Sequence, residues 1–241
     1  MGEARQVALI FGATGYTGLN LTRLLPDSGV RVVAHVRPSS STGGLLAEVA
    51  SASGAEVMEA PWELQAIKEL VERCQPDCIF GLLGTTKKRM RALKRMGGTP
   101  ESASYEAVDR DMTLMALEAA RACAPDSRFV YLSAMGVSAR SRTAYMKVRW
   151  EVEEALRSSG QPWMILRPGF ITGPDRPESR PAERFAAAIS DSALGALGLV
   201  LGAGLVDAYR SHPGAELARA LIRAGFEAEE TSQVWQGAAL R

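Results

Sequence analysis

The sequence predicts an α/β fold built on a doubly wound parallel sheet. Two observations carry this expectation. Short apolar runs, several of them nearly continuous, alternate with longer stretches of helical periodicity. A parallel sheet covered on both faces requires runs of that kind. The first apolar run also passes directly into a glycine-rich turn and then into a helix-forming stretch, which is how a βαβ series opens.

Taken in order, strands are expected over Val7–Phe11, Arg31–Val36, Glu56–Glu59, Cys78–Leu83, Phe129–Ser133 and Trp163–Arg167. Helices are expected over Thr17–Leu25, Glu63–Cys74, Ala107–Ala122 and Arg142–Ser158. In the last of these, Tyr145, Val148, Val152 and Leu156 recur at the three-to-four-residue spacing that one helix face demands. Right-handed crossovers bring the loops that follow the strands to one edge of the sheet, where ligands bind in such folds. Past Arg167 the alternation weakens, and Pro168, Gly169, Gly173, Pro174, Pro177 and Pro181 break the chain into loops. Residues 1–241 are read as a single domain, with residues 168–215 contributing most of a small lobe over the sheet edge.

Composition supports a full globular core, with 46% hydrophobic and 23% charged residues in 241. A net charge of +1 provides no general attraction to nucleic acid or to a membrane surface, so neither is expected as a partner. The odd count of three cysteines fits a reducing compartment. Cys74 and Cys78 have no histidine near them in sequence, and no metal site is expected. The N-terminus enters the strand pattern at Gln6–Phe11 without an apolar leader, and the expected location is cytoplasmic. The most apolar stretch, Ala193–Val206, is shorter than the roughly 18 residues that span a bilayer and reads as a buried helix or pocket wall.

The turn Gly12-Ala13-Thr14-Gly15-Tyr16-Thr17-Gly18 carries the clearest chemistry. Gly12 permits the sharp exit from the strand, Gly15 lets backbone N–H groups approach a pyrophosphate, and Gly18 lets the helix pack close to the sheet. The helix start favours an anion through its unpaired N–H groups and its dipole. The position between strand and helix identifies a dinucleotide site. An NAD site carries an acid at the end of the second strand, to hold the ribose 2′-hydroxyl. Here that strand ends His35-Val36-Arg37-Pro38, followed by Ser39, Ser40, Ser41 and Thr42. Arg37 suits a 2′-phosphate. NADP(H) is therefore favoured, with NAD(H) as the alternative. His35 reads as a packed strand residue.

These residues resemble the atypical short-chain dehydrogenases/reductases, in particular the NmrA-like and Tat-interacting-protein-like NAD(P)-binding branch. The likeness rests on the Gly12 turn, Leu83-Gly84-Thr85-Thr86, Val108-Asp109-Arg110-Asp111, the stretch from Tyr131-Leu132-Ser133 through Tyr145 to Arg167-Pro168-Gly169, and Val234-Trp235-Gln236-Gly237. The resemblance implies a Rossmann-type fold with a small C-terminal substrate lobe. It implies that Leu83, Gly84 and Thr85 lie along the cofactor, and that the backbone of Pro168, Gly169, Phe170 and Ile171 lies near the nicotinamide. It also implies catalysis by a serine, a tyrosine and a lysine four residues after the tyrosine. Ser133 and Tyr145 match the first two, and Arg149 stands at the lysine position. Many relatives hold the adenine amine with an aspartate after the third strand, where this chain reads Glu59-Ala60-Pro61-Trp62.

Residues at i and i+4 share a helix face, so Arg149 can support Tyr145 while Lys147 points away. A phenol needs a nearby cation to act as an acid at neutral pH. A guanidinium supplies charge and hydrogen bonds but cannot shuttle a proton. The expected activity is that of an NADP(H)-dependent oxidoreductase on a small carbonyl or hydroxyl compound. In it Tyr145 is the acid/base, Ser133 the carbonyl partner and Arg149 the electrostatic support. The alternative is a non-catalytic NADP(H)-binding redox sensor acting through a protein partner. A sugar-nucleotide epimerase fits less well, because the segment after Arg167 is short. Lys87, Lys88, Arg89, Arg91, Lys94 and Arg95 form a basic segment without an aromatic residue to stack a base, and read as a solvated loop near the cleft.

Overall fold

A computed structural model describes residues 5–38, 40–85, 90, 95, 104–169, 171–172 and 212–241. Seven strands form one sheet. They are β1 (Val7–Phe11), β2 (Arg31–Val36), β3 (Glu56–Glu59), β4 (Cys78–Gly81), β5 (Arg128–Leu132), β6 (Trp163–Arg167) and β9 (Gln233–Gln236). Their order is β3-β2-β1-β4-β5-β6-β9, and every pairing is parallel. The first six positions follow the doubly wound dinucleotide-binding order. A separate two-stranded pairing joins β7 (Ile171–Thr172) to β8 (His212–Pro213).

Helices cover both faces. On one face α1 (Tyr16–Leu24), α2 (Gly43–Ser53) and α6 (Gly214–Ile222) bury Leu21, Leu46, Leu217 and Leu221 against Ile10, Ala34 and Phe80. On the other, α3 (Leu64–Cys74), α4 (Met112–Cys123) and α5 (Ala144–Arg157) bury Ile67, Leu117, Val152 and Leu156 against Leu9, Phe11, Ile79 and Phe129. Successive strand residues therefore feed opposite cores, as the two-residue period of a strand requires. At each such leucine or phenylalanine the burial stabilises the fold by about 1.5–3 kcal/mol. The edge strand β3 departs from the apolar pattern, with Val57 exposed between Glu56 and Glu59.

The predicted strands hold, with small shifts. β4 ends at Gly81 rather than Leu83, and Leu82, Leu83 and Gly84 beyond it line the cleft. β5 ends one residue before Ser133. The helix expected from Ala107 begins as a π-helical turn, Tyr105–Asp111, which Ser104 caps by accepting from Ala107 N–H. Among the described residues, α2, α6, β7, β8 and β9 were not expected as such. Most of the lobe expected over residues 168–215, including the apolar stretch Ala193–Val206 and Phe170, and the basic segment apart from Arg95 fall outside the described residues.

Candidate dinucleotide site

The cleft begins where β1 ends. Gly12 has φ +85°, and a Cβ there would lie 2.7 Å from the Leu82 carbonyl carbon, so both conformation and space require glycine. A Cβ on Gly18 would lie 2.3 Å from the Gly12 carbonyl oxygen, which allows α1 to start directly beneath the turn. Gly15 N–H donates to the Gly12 carbonyl at 3.0 Å and closes the turn. Gly15 is also the N-cap of α1 and provides no side-chain cap, and no acid lies in the first turn. The helix start is thus left to an anion from outside, and the residues present fit a dinucleotide pyrophosphate.

A pocket opens above this turn. Gly12, Thr14, Gly15, Arg37, Leu83 and Gly84 line it, all of them expected from sequence. Ala13, Thr17 and Gly18 are buried and, like Tyr16 and Thr85, do not line it. Ser40, expected as a hydroxyl beside Arg37, lines the pocket too, and His35, Val36, Trp62, Leu82, Val108 and Met112 complete the wall without having been expected as cofactor contacts. Arg37 is exposed at the end of β2, next to Ser40 along the same rim. His35 is buried and donates from Nε2 to the Ala60 carbonyl at 2.9 Å. Burial lowers its pKa, partly opposed by that bond, so the ring is a neutral packing element.

The three expected catalytic residues lie beyond this pocket, around α5. Tyr145 is partly open, and the Tyr105 ring meets it edge-on at 5.3 Å. Arg149 is buried, one turn further along, with its guanidinium 5.0 Å from the Tyr145 ring centre. It donates to Asp109 Oδ1 at 2.7 Å, to the Leu83 carbonyl at 3.3 Å, to the Tyr131 hydroxyl at 3.4 Å and to the Leu132 carbonyl. Asp109 in turn accepts from Thr85 N–H at 2.8 Å. Burial pushes the Asp109 carboxyl up, and the facing guanidinium and the Thr85 N–H oppose it. For Arg149, burial alone would lower the pKa, but Tyr131, Tyr145 and Asp109 outweigh it, and the cation persists.

Ser133 is also buried, and its hydroxyl donates to Glu153 Oε1 at 2.6 Å. Glu153, fully buried on α5, accepts from Arg157 at 2.7 Å and from Arg167 Nε at 2.9 Å. Burial would raise its pKa, but Arg167, Ser133 and Arg157 outweigh it and hold the carboxyl below its usual range. Neither Asp109 nor Glu153 was singled out as a site residue from sequence. The available signal for Glu153 was its helical spacing, four residues past Arg149, and for Asp109 its place in the Val108-Asp109-Arg110-Asp111 segment. Pro168 is buried with its carbonyl accepting from Met135 N–H at 3.0 Å. Pro168, Gly169 and Ile171 do not line the pocket.

The model of a family described as NAD(P)H-binding matches residues 12–191. The chain belongs to this NAD(P)H-binding family. Its fold and motifs are those of an atypical short-chain dehydrogenase/reductase. Among relatives of this NAD(P)H-binding chain is "Protein fmp52, mitochondrial" of Emericella nidulans, 30% identical over 80% of the chain and 76% of that protein. "Protein FMP52, mitochondrial" of Coccidioides immitis is 28% identical over 91% of the chain and 85% of that protein. Among solved structures, the UDP-Glc/GlcNAc 4-epimerase of Campylobacter jejuni superposes with a TM-score of 0.65. It is 16% identical, over 95% of this chain and 77% of that one, and shares the fold.

The relatives correct one expectation. Their names point to a mitochondrial rather than a cytoplasmic location. An apolar leader is a sign of secretory export alone, so looking for one does not separate the cytoplasm from the mitochondrion.

Proposed function

We propose that the chain is an NADP(H)-dependent oxidoreductase acting on a small carbonyl or hydroxyl compound. The observation that carries this reading is the partly open Tyr145 phenol beside the buried Arg149 guanidinium, 5.0 Å away, on the helix that follows β5. When bound, the cofactor supplies the hydride. Tyr145 donates its hydroxyl proton to the carbonyl oxygen, and Arg149 stabilises the phenolate left behind. Arg149 works from behind Tyr145 as a positioning residue, since its donors reach Asp109 and main-chain carbonyls. Ser133 engages the carbonyl in this reading by releasing its bond to Glu153.

The NADP(H) preference rests on Arg37 at the rim, with Ser40 beside it and no acid among the residues that line the pocket. Titrating the protein with NADPH and NADH side by side tests it. Tight NADPH and weak NADH binding is expected. Preference for NADH would overturn the Arg37 argument, and failure of both to bind would overturn the whole reading.

The commitment of Arg149 to Asp109, Leu132 and Leu83 favours a second reading, a redox sensor that binds NADP(H) and a protein partner without turnover. Tight NADPH binding with no oxidation across a broad carbonyl panel would select it.

A further inference from the structure

The base end of the pocket has an unusual wall. β2 and β3 are adjacent and in register from Val33–Glu56 to Val36–Glu59. The chain leaving β3 therefore delivers Trp62 beside the β2 end that carries Arg37. Both line the pocket that begins at Gly12 and Gly15. A dinucleotide whose pyrophosphate sits on the Gly12–Gly15 turn, and whose 2′-substituent meets Arg37, has its base directed to this end. Trp62 is held there from behind, with the His35 ring at 5.0 Å in an edge-on arrangement and the Phe11 ring at 5.4 Å. Val108, from the π-helical turn, and Met112, at the start of α4, also line the pocket.

The polar groups at this wall are few. Among the described residues lining the pocket there is no carboxylate and no carboxamide side chain. His35 commits its Nε2 to the Ala60 carbonyl. Thr14 belongs to the phosphate-binding turn, and Ser40 and Arg37 to the 2′-substituent rim. No carboxylate or carboxamide among these side chains is placed to accept from the exocyclic amine of adenine.

Resting on the dinucleotide reading above, we propose that Trp62 is the base-recognition residue and that the base is held by stacking and shape rather than by a side-chain hydrogen bond to its amine. Every purine offers a π-face of similar area, so an indole wall selects the ring and ignores the substituent. The site then accepts a dinucleotide phosphate carrying hypoxanthine in place of adenine.

Binding of NADPH and of its hypoxanthine analogue, measured calorimetrically on the wild type, Trp62→Phe and Trp62→Ala, tests this without any turnover. On the wild type the two nucleotides should bind within about threefold of each other. Trp62→Phe should retain most of the affinity, and Trp62→Ala should weaken both nucleotides by at least about fivefold, the loss of one base–aromatic stack. The thermal melt of each variant reports whether it is folded. Discrimination against hypoxanthine by more than about thirtyfold on the wild type overturns the proposal, whatever the variants do. Equal NADPH affinity in wild type and Trp62→Ala overturns it while leaving the dinucleotide reading standing. Absence of NADPH binding to the wild type overturns both.

Discussion

Asp109 and Arg149 form a buried ion pair at 2.7 Å, with side-chain exposures of 0% and 7%. It fastens together the loop after β4, the π-helical turn before α4, the end of β5 and the N-terminal half of α5. Removing one partner leaves the other as an uncompensated charge. Arg149→Met should therefore destabilise the protein by about 3–5 kcal/mol, read as a shift of the urea midpoint. Arg149→Lys keeps the charge and should cost less, because it surrenders only the main-chain contacts. An Arg149→Met variant as stable as the wild type would show that the pair does not hold these segments.

Tyr145→Phe removes the proposed acid and little else. NADPH affinity should remain within about twofold, while carbonyl reduction should fall by roughly 10²–10⁴-fold, the usual contribution of a positioned acid. Equal turnover by the two proteins would end the assignment of Tyr145.

Arg37→Ala should weaken NADPH by about 1.5–3 kcal/mol, the worth of hydrogen bonds to a charged group, and leave NADH almost unaffected. A parallel loss for both nucleotides would place Arg37 outside any contact with the 2′-phosphate.

His35 makes a prediction about pH. Its folded pKa is depressed, chiefly by burial among Phe11 and Trp62 and despite the Ala60 carbonyl. Below about pH 6.5 the unfolded chain takes up a proton that the folded chain declines. Stability is full above that value and is lost as pH falls toward the folded pKa, at up to about 1.4 kcal/mol per pH unit. His35→Gln, which retains a donor for the Ala60 carbonyl, should flatten this slope between pH 5 and 6.5 in denaturant titrations. An unchanged slope would move the titration to another group.

Most of the sheet was legible in the sequence because β1, β2, β4, β5 and β6 are covered on both faces and read as apolar runs. β9 was not read as a strand. It is a short, half-buried edge strand between Ser232 and Gly237, and so lacks the apolar run that marks its neighbours. α2 was hidden by Gly43 and Gly44 at its start and by its serines, residues that favour turns over helices. In the site, the glycine turn was readable because backbone geometry dictates glycine there. The partners of Arg149 and Ser133 were not, because Asp109 and Glu153 reach them across 40 and 20 residues of sequence. Trp62 was visible only as the absence of an expected aspartate. That the absent acid leaves an indole in the wall is a fact of packing.

The placement of α6 bears on how the molecule must be made. Leu217 and Leu221 belong to the same buried cluster as Leu21 and Leu25, and a Cβ on Gly214 would collide with the Tyr16 ring at 2.7 Å. The helix that follows the glycine turn therefore lacks this cover until Gly214–Ile222 has been made and has left the ribosome. A chain cut before α6 would leave Leu21 and Leu25 without the cover that Leu217 and Leu221 give them.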